Sequence, residues 1–483
     1  MRKSKLIELF SGLSKEELTE LGKFLRSSYH NKNEKVIKLY EYLKKVHNDI
    51  VVKYPFPENI DNNELKVLDK EYVFKKIFKG QKFEAKRILD LMAKLSVLVM
   101  DFMVWVEVRD LDLESDFIYL RTLKKRGLDR QFFQIANAIG KKIQKMPYRD
   151  AYYYNAQMRL NKMIYEHPST GKLKSEILSL KETVVNLDHY YLYNRLKYNC
   201  EMLNRGKILG QEYEEENLDK ILPLLPENTS PIFEILTRSA QTVRKVNDEN
   251  YYRLKEIFFE NLSQIQPIER NDLFIYLTNY ASHRIHQGAG IEFLREVFEL
   301  YKLGLQERLV IPNNRIDESI FLNIIDLSCR LDEYDWARNF IEDFKQYLNP
   351  NSRESTRKLG LAKIYFSEDN YESTLELLIK VEFKNVYYSL VAKGLMLRSY
   401  YELSGYDVLF FDFCEAFSKF LHRNKIISED YKKAYLNLIR FSKLLYKAKT
   451  TQKLTKPQLL EEYKNIQNMA SRKWISQKLD SIK

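Results

Sequence analysis

His283 and His286 lie three residues apart in a proline-free stretch, so on a helix their imidazoles share a face. Two histidines on one face can begin a zinc site, which then needs further ligands. The nearest acids in sequence, Asp272 and Glu292, are not spaced to supply them, and the pair reads as the polar end of a helix. Asp110, Asp112, Glu114 and Asp116 alternate as calcium ligands do. That run has neither the mid-loop glycine nor the closing bidentate glutamate of a calcium loop, so it reads as a polar linker capping the next helix. Gly288-Ala289-Gly290 lacks the further glycines and the preceding strand of a dinucleotide loop. Glu214, Glu215 and Glu216 form a charged helix face, because an acid/base carboxylate pair cannot be read from sequence proximity. Cys200 and Cys414 fall among apolar-periodic residues and read as core thiols. His189 follows Asp188 in what reads as a capping neighbourhood. These residues predict no catalytic centre, no cofactor and no metal.

The elements around them read as helices. The chain has only 14 Gly and 11 Pro in 483 residues, too little punctuation for a strand-rich or loop-rich fold. Segments 71–103 and 359–403 contain no proline, and their apolar residues recur at three- and four-residue spacing. The expected fold class is all-α. The 34 Tyr and 27 Phe fall mostly on apolar-periodic positions and are expected to fill the joints between helices.

Residues 1–110 predict a compact helical domain. Ser14 and Glu17 form a capping-box start for a helix reaching about Ser27, and a second helix runs over 34–46. The 49–63 segment, with Pro55 and Pro57, interrupts helical structure before helices near 69–78 and 82–106. The last of these is apolar over Leu89, Leu91, Met92, Leu95, Leu98, Val99, Phe102 and Val104, almost all round, so it is expected to be buried centrally.

A repeat follows. Tyr334, Tyr371 and Tyr406 are 37 and 35 residues apart, in the strings LDEYDWA, SEDNYES and ELSGYDV. Asp150 and Asp188, offset by 38 residues, each stand at an expected N-cap before an aromatic-rich stretch. Such a period marks helical-hairpin solenoids, whose units bury their faces only against their neighbours. The expectation is a solenoid of antiparallel helix pairs over 111–483. Lys456 to Leu479 is expected as one capping helix, with Leu459, Tyr463, Ile466, Met469, Ala470 and Trp474 inward. The 358–382 unit resembles a tetratricopeptide repeat, with Leu361, Ala362 and Tyr365 on its first helix and Tyr371, Leu375 and Leu378 on its second. The resemblance is clearest over 321–420. It implies an interaction scaffold that holds another protein or a peptide on its concave face, and not an enzyme.

The formal charge of +12 is unevenly spread. Residues 1–200 carry a net +12, residues 201–350 a net −9, and residues 351–483 a net +9. Lys432, Lys433, Lys443, Lys447, Lys449, Lys453 and Lys456 crowd the C-terminal part. They are candidate contacts for a partner or polyanion, and give the alternative function of binding RNA or single-stranded DNA; as a solvated face they would serve solubility. Three scattered cysteines suit a reducing compartment, the start of the chain is a poor signal peptide, and no window is a membrane span. The expected location is cytoplasmic, with no membrane contact.

Overall fold

The computed structural model describes residues 1, 4–47, 66–110, 112–169, 176–209, 218–224, 230–451 and 454–482. The 49–63 segment, Glu214, Glu215, Glu216 and Lys453 lie outside them. Among the described residues every regular element is helical, with 23 α-helices. They divide into two compact units, residues 1–146 with 152–189, and residues 147–151 with 190–483.

The first unit holds α1 (Lys5–Ser11), α2 (Lys15–Arg26), α3 (Glu34–Lys45), α4 (Lys70–Ile77), α5 (Ala85–Asp110), α6 (Asp112–Lys125), α7 (Asp129–Gln144) and α8 (Ala151–Tyr165), and the start of α9 (Glu176–Leu209). Local chemistry sets the helix starts. The Glu17 amide donates to Ser14 Oγ at 3.1 Å while the Ser14 amide donates to the Glu17 carboxylate at 2.7 Å, so the predicted capping box forms. Asp69 accepts from the amides of Glu71 and Tyr72 to start α4. Helices α1 to α5 close one apolar cluster around Leu6, Phe10, Leu21, Leu39, Phe74 and Phe102. Helices α6 to α8 close another around Phe117, Leu120, Phe132, Ile139 and Leu160.

One expectation fails here. Helix α5 buries Ile88, Leu91, Met92, Leu95, Val99 and Phe102, but Val97 is 51% and Val104 64% exposed. The residues at three- and four-residue spacing make one covered stripe, and the other apolar positions fall outside it. The helix is amphipathic in its packing although not in its composition.

His167 packs its ring 4.1 Å from Phe132 and 5.1 Å from Phe133, and its side chain is 1% exposed. Burial lowers its pKa below the usual histidine value; Asp129 opposes that shift and Lys124 adds to it. Burial also lowers that of His189, against Asp188 and Glu182. With folded values below unfolded ones, the unfolded chain binds more protons as pH falls through about 6.5, so stability is lost on acidification. The first unit should therefore unfold at a lower temperature at pH 5.5 than at pH 7.5, and His167→Phe should narrow that gap. Equal gaps in the two proteins by circular dichroism would exclude His167 as a source.

In the second unit, residues 190–209 of α9 and α10 (Leu218–Ile221) precede a series of helix pairs: α11 (Pro231–Arg244) with α12 (Asp248–Glu260), α13 (Pro267–His286) with α14 (Gly290–Gln306), α15 (Glu318–Arg330) with α16 (Tyr334–Phe344), α17 (Arg353–Ser367) with α18 (Tyr371–Ile379), and α19 (Val386–Glu402) with α20 (Asp407–Arg423). Helix α21 (Glu429–Thr451) then packs with α22 (Lys456–Asn465) and α23 (Arg472–Asp480). First helices also touch first helices, α11 with α13, and separately α15, α17, α19 and α21 in succession, with α14 meeting α15 between the two sets.

The turns explain the tyrosine repeat. Segments 331–333, 368–370 and 403–406 each contain one residue at positive φ, Asp332, Asp369 and Gly405. Aspartate tolerates that conformation, and its carboxylate is then presented to the chain just ahead. The Tyr334 hydroxyl donates to Asp332 at 2.7 Å and the Tyr371 hydroxyl to Asp369 at 2.5 Å. In the third turn Ser404 stands in the aspartate's place and the left-handed residue is Gly405, one position later, and half-buried Tyr406 instead sets its ring 6.2 Å from Tyr400.

Two further expectations are corrected. Asp188 is no N-cap; it lies inside α9, because 176–205 contains neither glycine nor proline to interrupt the helix. The C-terminal cap is two helices, broken over 466–471 with Ser471 left-handed at φ 53°. Contacts to α21 replace the helical hydrogen bonds there: the Ala470 amide donates to the Ala434 carbonyl at 3.1 Å, and Asn437 Nδ2 to the Asn468 carbonyl at 2.7 Å.

Candidate binding surfaces on the first helices of the second unit

Helices α9, α11 and α13 meet at two clefts. Pro231 and Pro267 stand in the first turns of α11 and α13, where the missing N–H costs nothing. Helix α11 then buries Ile232, Leu236, Ala240 and Val243, at helical spacing. A cleft of about 290 Å³ is lined by Lys197, Tyr198, Glu201 and Arg205 of α9, Ile232 and Leu236 of α11, and Glu269, Asp272, Leu273 and Tyr276 of α13. A second, of about 260 Å³, shares Tyr276 and is lined by Asn204, Thr242, Asn279, Ser282 and both His283 and His286.

Most charges in the first cleft are satisfied. Lys197 Nζ lies 2.6 Å from Glu269 Oε1, and the Tyr193 hydroxyl donates to Glu269 Oε2 at 2.5 Å. Arg205 pairs with Glu201, whose other oxygen accepts from the Tyr276 hydroxyl at 3.3 Å. Asp272 differs. Among the described residues its carboxylate takes no hydrogen bond and no ion pair, although it faces Lys197 through space. Partial burial raises its pKa against Lys197, and the Glu201 and Glu269 carboxylates raise it further.

Further along, Asp326 on α15, Lys363 on α17, Arg398 on α19 and Tyr435 on α21 stand 37, 35 and 37 residues apart. The first three each precede a repeat tyrosine by eight residues. Lys363 Nζ lies 2.5 Å from Asp326 Oδ2. Arg398 donates through Nε to the Gly394 carbonyl at 3.2 Å and holds its guanidinium 4.5 Å from the Phe366 ring centre. It is half-buried and, among the described residues, has no carboxylate in ion-pair contact. Burial pushes its pKa down to about 10 despite Tyr435, Asp326 and Glu402 nearby. Tyr435 is pushed up to about 12 by burial, with Arg398 opposing.

The residues singled out from sequence are placed as follows. His283 Nε2 sits 2.9 Å from Gln287 Nε2 and His286 Nδ1 2.7 Å from the Ser282 carbonyl, and no metal-binding cluster exists among the described residues. Glu114 pairs with Arg159 and Asp116 with Lys142, so those acids serve helix packing. Cys200 and Cys414 are buried, and burial raises both thiols, Cys414 to about 12. The basic run is not one face. Lys432 binds Glu429, Lys449 lies 5.8 Å from the Tyr401 ring centre, and Lys456 caps α23 through the carbonyls of Asp480 and Ile482. Lys433 and Lys447 are exposed and Lys443 half-buried.

Sequence reading overlooked Asp326, Lys363, Arg398 and Tyr435, although counting back eight residues from the repeat tyrosines reaches the first three. No family model matches the chain, and no curated protein or solved structure matches it.

Proposed function

We propose that the protein is a binding scaffold, a tetratricopeptide-like helical repeat in which the first helices of the second unit receive a segment of another protein. The observation that carries this reading is Arg398, a half-buried guanidinium at a repeat-equivalent position with no contacting anion among the described residues. A desolvated, unneutralised cation costs stability, so a repeat selected for packing alone gains nothing from it. An acidic group arriving on a partner would neutralise it, and the neighbouring Asp326–Lys363 pair would help set the partner's register.

Arg398→Gln should weaken capture of the cognate partner by roughly tenfold or more, because a desolvated charge pair is broken. Its melting temperature should match or exceed that of the unaltered protein. The exposed pair Lys433→Gln and Lys447→Gln should leave capture intact. Co-purification followed by titration of the recovered partner measures both. A partner indifferent to Arg398 but lost with the two lysines would contradict this reading and favour a polyanion bound at the basic C-terminal residues.

A further inference from the structure

The cleft between α9, α11 and α13 joins three properties. Ile232, Leu236, Leu273 and Tyr276 are each at most 5% exposed and give it apolar walls. Its rim bears Glu201, Glu269 and Asp272 against Lys197 and Arg205. Both cations are held by Glu269 and Glu201, so the excess negative charge rests on Asp272, which takes no hydrogen bond or ion pair among the described residues. At about 290 Å³ the space lies at the small end of ligand pockets and is sized for one long side chain.

We propose that this cleft is a socket for one basic side chain, arginine or lysine, of the bound partner segment. The assignment rests on the scaffold reading for its occupant, but uses residues independent of Arg398. Arginine and lysine carry an aliphatic stem ending in a cation, which matches an apolar wall below an acidic rim. The stem lies against Leu236, Leu273 and Tyr276, and the head reaches Asp272. Exposed Tyr198 also lines the cleft, and an aromatic ring there suits a cation. A carboxylate ligand would meet three acids, and a neutral one would form no ion pair with the exposed Asp272 carboxylate. The net −9 of residues 201–350 draws a basic segment toward the same part of the chain.

The test uses side-chain surrogates on the full chain: n-butylguanidinium, n-butylammonium, the neutral n-butylurea and the anion pentanoate, titrated by NMR. Both cations should bind saturably, and Asp272→Asn should weaken them by about tenfold, the usual effect of removing one member of a charge-assisted contact. Asp272→Glu should retain binding. Asp272→Asn should melt no lower than the parent, since the exposed carboxylate takes no hydrogen bond or ion pair among the described residues. Equal binding of n-butylurea, binding of pentanoate, or cation binding unchanged in Asp272→Asn would overturn the assignment. Spermidine binding about tenfold or more tighter than n-butylammonium would overturn it in favour of a free polyamine site. Loss of partner capture in Arg398→Gln without cation binding here would remove this inference alone. Cation binding without any Arg398-dependent capture would remove the scaffold reading instead.

Discussion

Gly304→Ala should destabilise the second unit by about 3 kcal/mol, the upper end of what overpacking by a methyl group costs. A Cβ at Gly304 would stand 2.4 Å from Phe274 Cζ, with Cε2 and Cε1 at 3.0 and 3.1 Å. The intruding methyl would therefore meet the edge of a flat ring, and Phe274 is only 3% exposed. Relief requires moving α13 and α14 apart, which loosens the pair. Gly360 provides the comparison. There a Cβ would stand 2.6 Å from Ile325 Cδ1, the end of a side chain able to rotate, so Gly360→Ala should cost about 1 kcal/mol. Urea unfolding of the two variants should preserve this order. Gly304→Ala melting with the parent would mean that α13 and α14 do not approach as described.

Phe410→Ala should cost about 4 kcal/mol, in the range for deleting a fully buried phenyl ring. Phe410 is 0% exposed and stacks on Tyr446 of α21, centroids 4.8 Å apart at 18°. It also meets Tyr401 of α19 at 6.0 Å, and Tyr401 meets Trp474 of α23 at 5.1 Å. One ring thus joins three helices and supports the C-terminal cap through a fourth. Its loss should lower the unfolding midpoint and raise hydrogen exchange in α19, α21 and α23 together. A drop confined to α20 would show that the rings do not couple these helices.

Much of this architecture can be read from local sequence, because helix caps and turns are local chemistry. Ser14 with Glu17, Asp69, and the aspartate two residues before Tyr334 or Tyr371 act within a few residues of themselves, and the Ser14–Glu17 capping box takes its expected place. The failures lie where tertiary packing decides. Nothing in the 466–471 stretch is a helix breaker; the break comes from hydrogen bonds to α21. The exposed Val97 and Val104 of α5 reflect how far neighbouring helices reach, which hydropathy does not encode. The binding surfaces divide in the same way. Asp326, Lys363 and Arg398 follow the repeat and could be counted from it. The Asp272 cleft draws on α9, α11 and α13, whose lining also recurs at offsets of 35 and 37 residues (Lys197, Ile232 and Glu269; Glu201, Leu236 and Leu273), but the positions equivalent to Asp272 are Cys200 and Ile235, so only the fold marks that acid.

The most direct test of the central claim is hydrogen exchange of the full chain, free and saturated with its captured partner. The account predicts slowed exchange in the first helices, in α13 around Asp272 and in α17 and α19 around Lys363 and Arg398, with α14, α18 and α20 unchanged. Protection confined to the second helices, or to the stretch around Lys433 and Lys447, would contradict it.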